Sequence, residues 1–325
     1  MLADVTGNLA DLVRAAAAAH PDKPALLFHG ETTTWGRLDS RVDAVAHALE
    51  ALGLARGDRV ALHLGNTPDF AASYFGALRA GLVALPVNPG YTVPELTHVL
   101  LDSGARVALT TAEGAAAVRA VRGGPDHVLV TGEGSWADLQ AGSPPYDAVG
   151  GGEDLAVLLY TSGTSGRPRG AMLTHRALLA NLEQTSAIDP QVVSSDDVVL
   201  LVLPLFHVYG LNAALGMVAK HGATGVLVER FDPVATLEEI GRSQVTNVVG
   251  APPMWVAWSL LPDVGGAFSS VRLCVSGAAP LPADVLHRVL DVTGHHVFEG
   301  YGLTETAPVL TSTLMSEVPK ADSIG

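Results

Sequence analysis

The sequence is poor in cysteine, aromatic residues and basic charge. Its one cysteine, Cys274, excludes a disulfide within the chain and a zinc site built on several cysteines. Because it lies in the apolar run VRLCVSG, we expect it to be a small buried residue. Lysine and arginine number 19 against 33 acidic residues, which gives a formal net charge of -14. This balance argues against nucleic acid as a partner, because neutralising phosphates requires a basic face.

A secretory signal is also missing, and the one apolar run long enough for a membrane span is interrupted by polar and turn-forming residues. The N-terminus carries acidic residues and lacks a basic n-region, so with the single cysteine it favours a cytoplasmic protein. Residues 198–219 carry no formal charge over roughly the length of a span. Pro204, His207, Gly210 and Asn212 near the middle of that run instead predict a buried strand, a turn and a packed helix.

Apolar runs alternate with helical patterns along the whole chain. Strands separated by helices of about 10–15 residues predict βαβ units and mostly parallel sheets. We therefore expect an α/β fold with two doubly wound, mostly parallel sheets and flanking helices. Residues 132–154 are rich in Gly, Pro, Ser and Asp, which predicts a division near residue 148. The predicted subdomains are residues 1–147 and 148–325, the second of which carries the site motifs.

Three polar clusters each follow an apolar run that is predicted to be a strand. They are residues 161–170 after LAVLLY, residues 276–282 after VRLCV, and residues 299–306 after HHVF. Ligands of doubly wound sheets bind beyond the carboxyl ends of the strands. If the three strands run parallel, we expect the three clusters to lie at one edge of one sheet.

The first cluster, TSGTSGRPRG, has the composition of an anion-binding turn. Backbone N–H groups of a glycine-rich turn form a nest for anions, and hydroxyl and guanidinium groups add donors. A flexible polar loop is the alternative, but linkers seldom lie directly between a buried strand and an amphipathic helix. We predict phosphate binding by residues of this cluster: Thr161, Ser162, Gly163, Thr164, Ser165, Gly166, Arg167 and Arg169.

The third cluster, EGYGLTET, combines a ring, two glycines and a carboxylate. Gly300 and Gly302 allow close approach to a flat ligand, and Tyr301 can stack on a base. Thr304 can donate to a phosphate, and Glu305 is an oxygen ligand suited to Mg²⁺ bound with substrate phosphates. The alternative is a helix start, with Thr304 as its cap and Glu305 in its first turn.

Taken together, these motifs resemble those of the adenylate-forming superfamily, which contains acyl-CoA synthetases, firefly luciferases and peptide-synthetase adenylation domains. YTSGTSGRPRG followed by AMLTH resembles the signature loop of that superfamily. The later segments VSGAAPL and EGYGLTETAP resemble its nucleotide motifs. Further segments match in order and spacing, so the likeness covers nearly the whole chain: TTTWGRLDSRVDAVAHAL, GALRAGLVALPVNP and LPLFHVYG.

The resemblance implies a two-step reaction with ATP, Mg²⁺ and coenzyme A. A carboxylate attacks the α-phosphate of ATP to give an acyl-adenylate and pyrophosphate, and the thiol of CoA then displaces AMP. The 161–170 loop would hold the β- and γ-phosphates. The other implied roles are adenine binding by Gly277, Ala278 and Ala279, nucleotide binding by Glu299, Gly300, Tyr301 and Gly302, α-phosphate contact by Thr304 and Mg²⁺ binding by Glu305.

Two features depart from the family pattern. Arg169 replaces the usual lysine of the loop, and it keeps the charge needed for phosphate. Family members also continue well past residue 325 and carry there the lysine used in adenylation, whereas Lys23, Lys220 and Lys320 match no such context. We expect an N-terminal portion that binds nucleotide weakly, adenylates little or not at all, and self-associates through apolar surface.

The resemblance also narrows the class of carboxylic acid that the enzyme would activate. His207 stands where amino-acid-activating relatives place an aspartate, and Gly300 stands where dicarboxylate enzymes can carry arginine. An apolar monocarboxylic acid, as in fatty acid–CoA ligases, is therefore expected. The predicted acyl pocket consists of His207, Val208, Met254, Gly300 and Ala307, with Trp255 as a further candidate.

Three alternatives stay open at this point. His207 is either a gate beside the carboxylate or a core histidine, and Met254 and Trp255 could equally be core residues. A second interpretation of the whole chain is a fatty acyl-AMP ligase that loads a carrier protein. A third is a catalytically inactive module that binds nucleotide or acyl groups.

Overall fold

The computed structural model describes residues 5–133, 136, 143–161, 167–320 and 323–324. The chain forms two compact units, residues 1–22 with 33–180 and residues 23–32 with 181–325. This grouping differs from the predicted division near residue 148. The strand that follows residue 148 pairs in parallel with a strand of the first unit, Ala84 opposite Val157, and so stays with it.

Within the described residues, the first unit contains a six-stranded sheet. Its strand order is β6-β5-β3-β4-β7-β8, and all neighbours run parallel except β8, which is antiparallel to β7. The strands are β3 (Arg59–His63), β4 (Val83–Pro86), β5 (Ala105–Thr110), β6 (His127–Val130), β7 (Leu155–Thr161) and β8 (Arg169–Thr174).

Helices of the first unit follow the predicted periodic segments. α3 begins with Pro68 after the cap Thr67, whose hydroxyl accepts from the Phe70 N–H, and it buries an almost continuous apolar surface. The helices are α1 (Asp11–Ala19), α2 (Trp35–Ala51), α3 (Pro68–Arg79), α4 (Val93–Ser103), α5 (Ala112–Arg119) and α6 (His175–Ser186), the last of which contains the division between the units.

The second unit is built on a sheet in which eight strands lie within the described residues. The order is β14-β13-β12-β11-β9-β10-β1-β2; β9 to β13 and β1 pair in parallel, whereas β14 is antiparallel to β13. The strands are β1 (Pro24–Phe28), β2 (Glu31–Thr34), β9 (Val198–Leu201), β10 (Thr224–Leu227), β11 (Asn247–Gly250), β12 (Leu273–Ser276), β13 (Val297–Gly302) and β14 (Val309–Ser312).

The helices of the second unit include a π-helix, Tyr209–Gly216, a form that is frequent at functional sites. The others are α7 (Met217–His221), α8 (Pro233–Arg242), α9 (Pro252–Trp258), α10 (Val264–Ala267) and α11 (Ala283–Thr293), with short 3₁₀ turns at Thr304–Thr306 and Thr313–Met315. The strand, turn and helix predicted for residues 198–219 are thus confirmed. Among the described residues, no helix has both the length and the apolar character needed to cross a membrane.

Both sheets are packed on their faces by apolar side chains, as the α/β pattern predicts. In the second unit an aromatic cluster joins Trp255, Trp258 and Phe268, with ring centroids 5.4–6.4 Å apart. Cys274 is fully buried in β12, which confirms its predicted core role. The predicted fold class, α/β with two mostly parallel sheets, is confirmed.

Candidate functional site: the corners after two neighbouring strands

The turn after β12 is shaped by its backbone. Ala278 has a φ of 71°, a left-handed conformation that is uncommon for a residue with a side chain. A Cβ on Gly277 would lie 2.8 Å from the Tyr209 ring, so the absence of a side chain lets that ring pack against the turn. Gly277 is buried, whereas Ala278 and Ala279 are exposed at the edge of the sheet. The turn therefore presents backbone and small methyl groups to a ligand.

Glu299 connects this turn to β13. It is buried, and its Oε1 accepts a hydrogen bond from the Leu281 N–H at 3.0 Å. Its backbone is fixed in turn, because its N–H donates to Thr313 Oγ1 at 2.9 Å and its carbonyl accepts from Ser312 Oγ at 3.1 Å. A buried carboxylate with these partners positions the turn, so the structure gives Glu299 a supporting place beside the predicted nucleotide-binding residues.

The two glycines of EGYGLTET have different surroundings. A Cβ on Gly302 would lie 2.1 Å from the Pro308 carbonyl oxygen, so only glycine fits where β13 turns and its register with β14 shifts. At Gly300 the nearest atom to such a Cβ is the Thr311 carbonyl oxygen at 3.6 Å, an ordinary contact. Tyr301, between them, is 43% exposed. The Tyr301 side chain is therefore accessible, and its stacking on a base stays a prediction.

Two buried asparagines hold the turn that follows. Asn212, in the π-helix, donates from Nδ2 to the Ala307 carbonyl oxygen at 2.8 Å. Asn181, in α6, donates from Nδ2 to the Val309 carbonyl oxygen at 2.8 Å. The sequence analysis did not single out Asn181. Asn181 and Asn212 are both polar residues within apolar helical patterns, which indicates that each requires a buried hydrogen-bond partner.

Thr304 and Glu305 belong to the short 3₁₀ helix that directly precedes this held turn. The short 3₁₀ helix Thr304–Thr306 follows Leu303, so Glu305 lies in a helical turn as the helix-start alternative has it, but the cap position is Leu303 and not Thr304. Glu305 is exposed and forms no ion pair with the residues that the structure describes. An accessible single carboxylate fits Mg²⁺, which takes one or two carboxylates together with substrate phosphates. No cluster of three metal-ligating side chains occurs within the described ranges.

The predicted acyl-pocket residues occupy different environments within the second unit. Val208 and Met254 are each 6% exposed, and Ala307 is 2% exposed with a φ of 67°. Trp255 is a core residue of the aromatic cluster. His207 is an exposed residue whose ring packs at 4.7 Å from that of Phe206.

Although part of the His207 side chain is exposed, the surrounding chain partly desolvates its ring and lowers its pKa, which favours the neutral imidazole near pH 7. Its backbone N–H donates to the Pro204 carbonyl oxygen at 3.0 Å, immediately before the π-helix. The exposure of His207 differs from that of a buried core histidine, and its role as a gate stays a prediction.

Tyr209 is a further residue that the sequence did not single out. Its hydroxyl is buried without a hydrogen-bond partner among the described residues, and burial raises its pKa. The Ser276 hydroxyl, at the end of β12, is buried in the same way. Buried hydroxyls without partners are rare and costly, so both positions call for a functional explanation.

The first cluster lies in the other unit. β7 and β8 form a hairpin in which Thr161 is paired with Arg169, and the Arg167 and Arg169 side chains are exposed. Ser162, Gly163, Thr164, Ser165 and Gly166 lie outside the described residues. The prediction that all three clusters follow strands of one sheet is wrong, because β7 belongs to the six-stranded sheet. The other two do share an edge, since β12 and β13 are parallel neighbours.

Comparison with known proteins agrees with this arrangement. The pattern of the AMP-binding enzyme family matches residues 13–325. A feruloyl-CoA synthase from an Amycolatopsis species is 39% identical, over 90% of this chain and 58% of that protein. A long-chain-fatty-acid–CoA ligase from Bacillus subtilis is 32% identical, over 98% of this chain and 63% of that protein.

Among solved structures, that of the anthranilate–CoA ligase AuaEII in complex with anthranoyl-AMP superposes with a TM-score of 0.90 at 26% identity. That match covers 99% of this chain and 64% of AuaEII. The chain thus spans less than two thirds of the length of each of these three relatives. The extent of the family match, the fold and the ordered motifs lead to one conclusion: this chain belongs to the AMP-binding enzymes, the adenylate-forming family that includes the acid–CoA ligases.

Proposed function

We propose that this chain carries the nucleotide- and acyl-binding part of an ATP-dependent acid–CoA ligase. The observation that supports it most is the pair of corners after β12 and β13, which share one sheet edge and are tied together by the Glu299–Leu281 hydrogen bond. Ligands of such sheets bind beyond the carboxyl ends of the strands. In this proposal the corner after β12 takes the adenine and Tyr301 stacks on it.

The reaction would place charge on phosphate oxygens, and the accessible groups of the chain suit that need. Thr304 donates to the α-phosphate, and Glu305 holds Mg²⁺, which would neutralise charge on the phosphates when bound. Arg169 and the glycine-rich segment 161–166 hold the β- and γ-phosphates. His207, as a neutral ring, lies beside the acyl carboxylate. Positioning and charge neutralisation are the main demands of such transfers.

Calorimetric titration of the chain with ATP, with and without Mg²⁺, tests the nucleotide site directly. Glu305→Gln should remove most of the Mg²⁺-dependent gain in ATP affinity while leaving the Mg²⁺-free affinity unchanged. Glu317→Gln, an exposed glutamate outside the corner, is the matched control. Absence of any ATP binding, or an equal Mg²⁺ dependence in both variants, would contradict the proposal.

For the acid, we propose an apolar monocarboxylate of the fatty acid class. Val208 and Met254 are apolar, and among the described residues no cation that could pair with a second carboxylate lies within 4 Å of the position that a Gly300 Cβ would take. Non-hydrolysable acyl-adenylate mimics of increasing chain length provide the test. Each added CH₂ in an apolar pocket should tighten binding about fourfold until the pocket is full. Equal affinities for all chain lengths in the series would contradict a fatty acyl pocket.

A specific observation supports a second candidate, an aromatic acid that carries a hydrogen-bonding substituent. The Tyr209 hydroxyl, which has no hydrogen-bond partner among the described residues, lies against Gly277 and would find a partner in such a substituent. Tyr209→Phe should then weaken binding of a feruloyl-adenylate mimic roughly tenfold and leave a decanoyl mimic unchanged. Equal affinity of wild type and Tyr209→Phe for the feruloyl-adenylate mimic would favour the fatty acid.

We further infer that the chain by itself adenylates weakly or not at all, that CoA is the acceptor of the whole protein, and that the protein is cytoplasmic. The lysines of the chain support the first inference, since Lys23, Lys220 and Lys320 match no context of the lysine that the family uses in adenylation. Pyrophosphate exchange with ATP and a carboxylic acid measures it. Turnover at the rate of an intact ligase would overturn this inference.

A further inference from the structure

Two side chains on one face of helix α4 contact the end of β7 and the residue just before β8. His98 and Asp102 are four residues apart, so they lie on the same face. Asp102 Oδ2 accepts a hydrogen bond from the Tyr160 hydroxyl at 2.6 Å. The His98 Nε2 donates to the carbonyl oxygen of Pro168 at 2.9 Å. Tyr160 is next to the last residue of β7, and Pro168 directly precedes β8.

The two contacts form one cluster. The rings of His98 and Tyr160 meet edge to face, with centroids 6.1 Å apart and planes at 85°. Tyr160 also packs against the apolar cluster that contains Leu96 and Val99 of the same helix. Burial, together with the Asp102 carboxylate, raises the pKa of Tyr160, so its hydroxyl stays a donor.

The helix is itself well fixed, so it can serve as a support. The Thr92 N–H donates to Glu95 Oε2 at 2.7 Å at its start, and Gly104 ends it in the left-handed conformation. Its opposite face is buried in the core through Leu96, Val99 and Leu100. Motion of His98 and Asp102 is therefore limited to their side chains.

The hairpin needs such a support, because β8 lies at the edge of the described sheet and pairs only with β7 there. The last described rung of the ladder joins Thr161 to Arg169. Tyr160 and Pro168 lie directly beside the two residues of that rung. The two side chains of α4 act at these two points, one on each strand.

We propose that His98 and Asp102 are positioning residues. They fix Tyr160 and Pro168, which lie on either side of the segment 161–166 that is proposed to bind phosphate. Asp102 fixes the β7 end through Tyr160, and His98 fixes the β8 end through Pro168. Neither side chain touches the nucleotide in this proposal. The role in phosphate binding rests on the proposed function, whereas the clamp on the hairpin does not.

Hydrogen–deuterium exchange without ligand tests the clamp itself. His98→Ala and Asp102→Ala should each speed exchange of the amides of residues 159–161 and 169–171 about fivefold, the change expected when one hydrogen bond is lost from a local opening. The conservative variants His98→Gln and Asp102→Asn retain a donor and an acceptor and should stay within twofold of wild type. Leu101→Ala, an exposed position on the same helix, is the control.

Titration with ATP and with AMP tests the link to phosphate binding. AMP lacks the β- and γ-phosphates, so the alanine variants should lose about five- to tenfold in ATP affinity and keep AMP affinity within twofold. A residue that only stabilises the unit would lower both affinities or neither.

The outcomes separate the two claims. Unchanged exchange at the hairpin, or exchange accelerated throughout the first unit, would overturn the clamp. Accelerated exchange with equal losses for ATP and AMP would overturn its role in phosphate binding. A wild-type chain that binds neither nucleotide would contradict the proposed function, and the exchange data would still decide whether the clamp exists.

Discussion

At the residue scale, glycines and a buried histidine show how single positions are constrained for different reasons. Gly302 is required by the fold, because any Cβ there would overlap the Pro308 backbone. Gly300 is only two residues away and has room for a side chain. His175, at the start of α6, is 2% exposed and accepts a hydrogen bond from the Leu9 N–H at its Nδ1. Each of these differences is measurable.

Substitution of the two glycines should separate fold from site. Gly302→Ala should lower the free energy of unfolding by about 2 kcal/mol or more, because the contact is with backbone that must move. Gly300→Ala should leave it within about 0.5 kcal/mol and weaken only binding of acyl-adenylate mimics. Urea unfolding and calorimetry measure the two effects. Equal destabilisation by both substitutions would contradict this distinction.

His175 should make the first unit sensitive to acid. Burial, above all, lowers its pKa from 6.5 to about 4, against the attraction of Asp154. The unfolded chain therefore takes up the proton first, so stability is lost as the pH falls from about 6.5 towards 4. The full loss is roughly 3 kcal/mol.

A matched variant isolates this effect. His175→Asn keeps an acceptor near the Nδ1 position for the Leu9 N–H and cannot titrate. Urea unfolding of both proteins between pH 7.5 and 4 should show wild type losing stability faster than the variant. Parallel pH curves would show that His175 is not the group responsible.

At the scale of elements, the turn 307–309 depends on two helices. Asn212 of the π-helix and Asn181 of α6 each donate to a carbonyl of that turn, and Thr304 and Glu305 precede it directly. The geometry of the corner is therefore set by distant parts of the chain. The strand β13 alone does not fix it, because its register with β14 shifts at Tyr301 and Gly302.

Replacing the donor amide with an acceptor should disturb this turn. Asn212→Asp and Asn181→Asp place a carboxylate oxygen against a carbonyl oxygen, which should cost about 2 kcal/mol each in unfolding free energy. The matched control is Asn88→Asp, because the half-buried Asn88 side chain accepts from the Gly90 N–H and keeps that acceptor as aspartate. Equal stability of all three variants would show that the donated bonds are unimportant.

At the scale of the whole molecule, the chain combines a net charge of -14 with exposed apolar side chains near residue 325. The exposed set comprises Leu303, Leu310, Met315, Val318 and Ile324, which are 45–71% exposed. Apolar surface of this kind favours association, whereas like charge opposes it. The balance depends on ionic strength, because salt screens the repulsion.

Self-association should therefore rise with salt. Sedimentation or light scattering at low and high ionic strength measures it, and Met315→Ser with Val318→Ser should reduce it. Met172→Ser is the matched control, because Met172 and Met315 are both 71% exposed and Met172 lies in the other unit. A monomer at every salt concentration would contradict the prediction.

The sequence by itself determined the order of strands and helices, the buried place of Cys274 and the polar clusters at strand ends. These features follow from local periodicity, and the backbone obeys it because each apolar stripe must be buried. Tertiary structure decided which sheet each strand joined, so that β7 belongs to a different sheet from β12 and β13. It also decided the partners of Asn181, Glu299 and His98, which lie 128, 18 and 70 residues away. Hydrogen bonds across such separations leave no periodic trace in the sequence, because they depend on how whole elements pack.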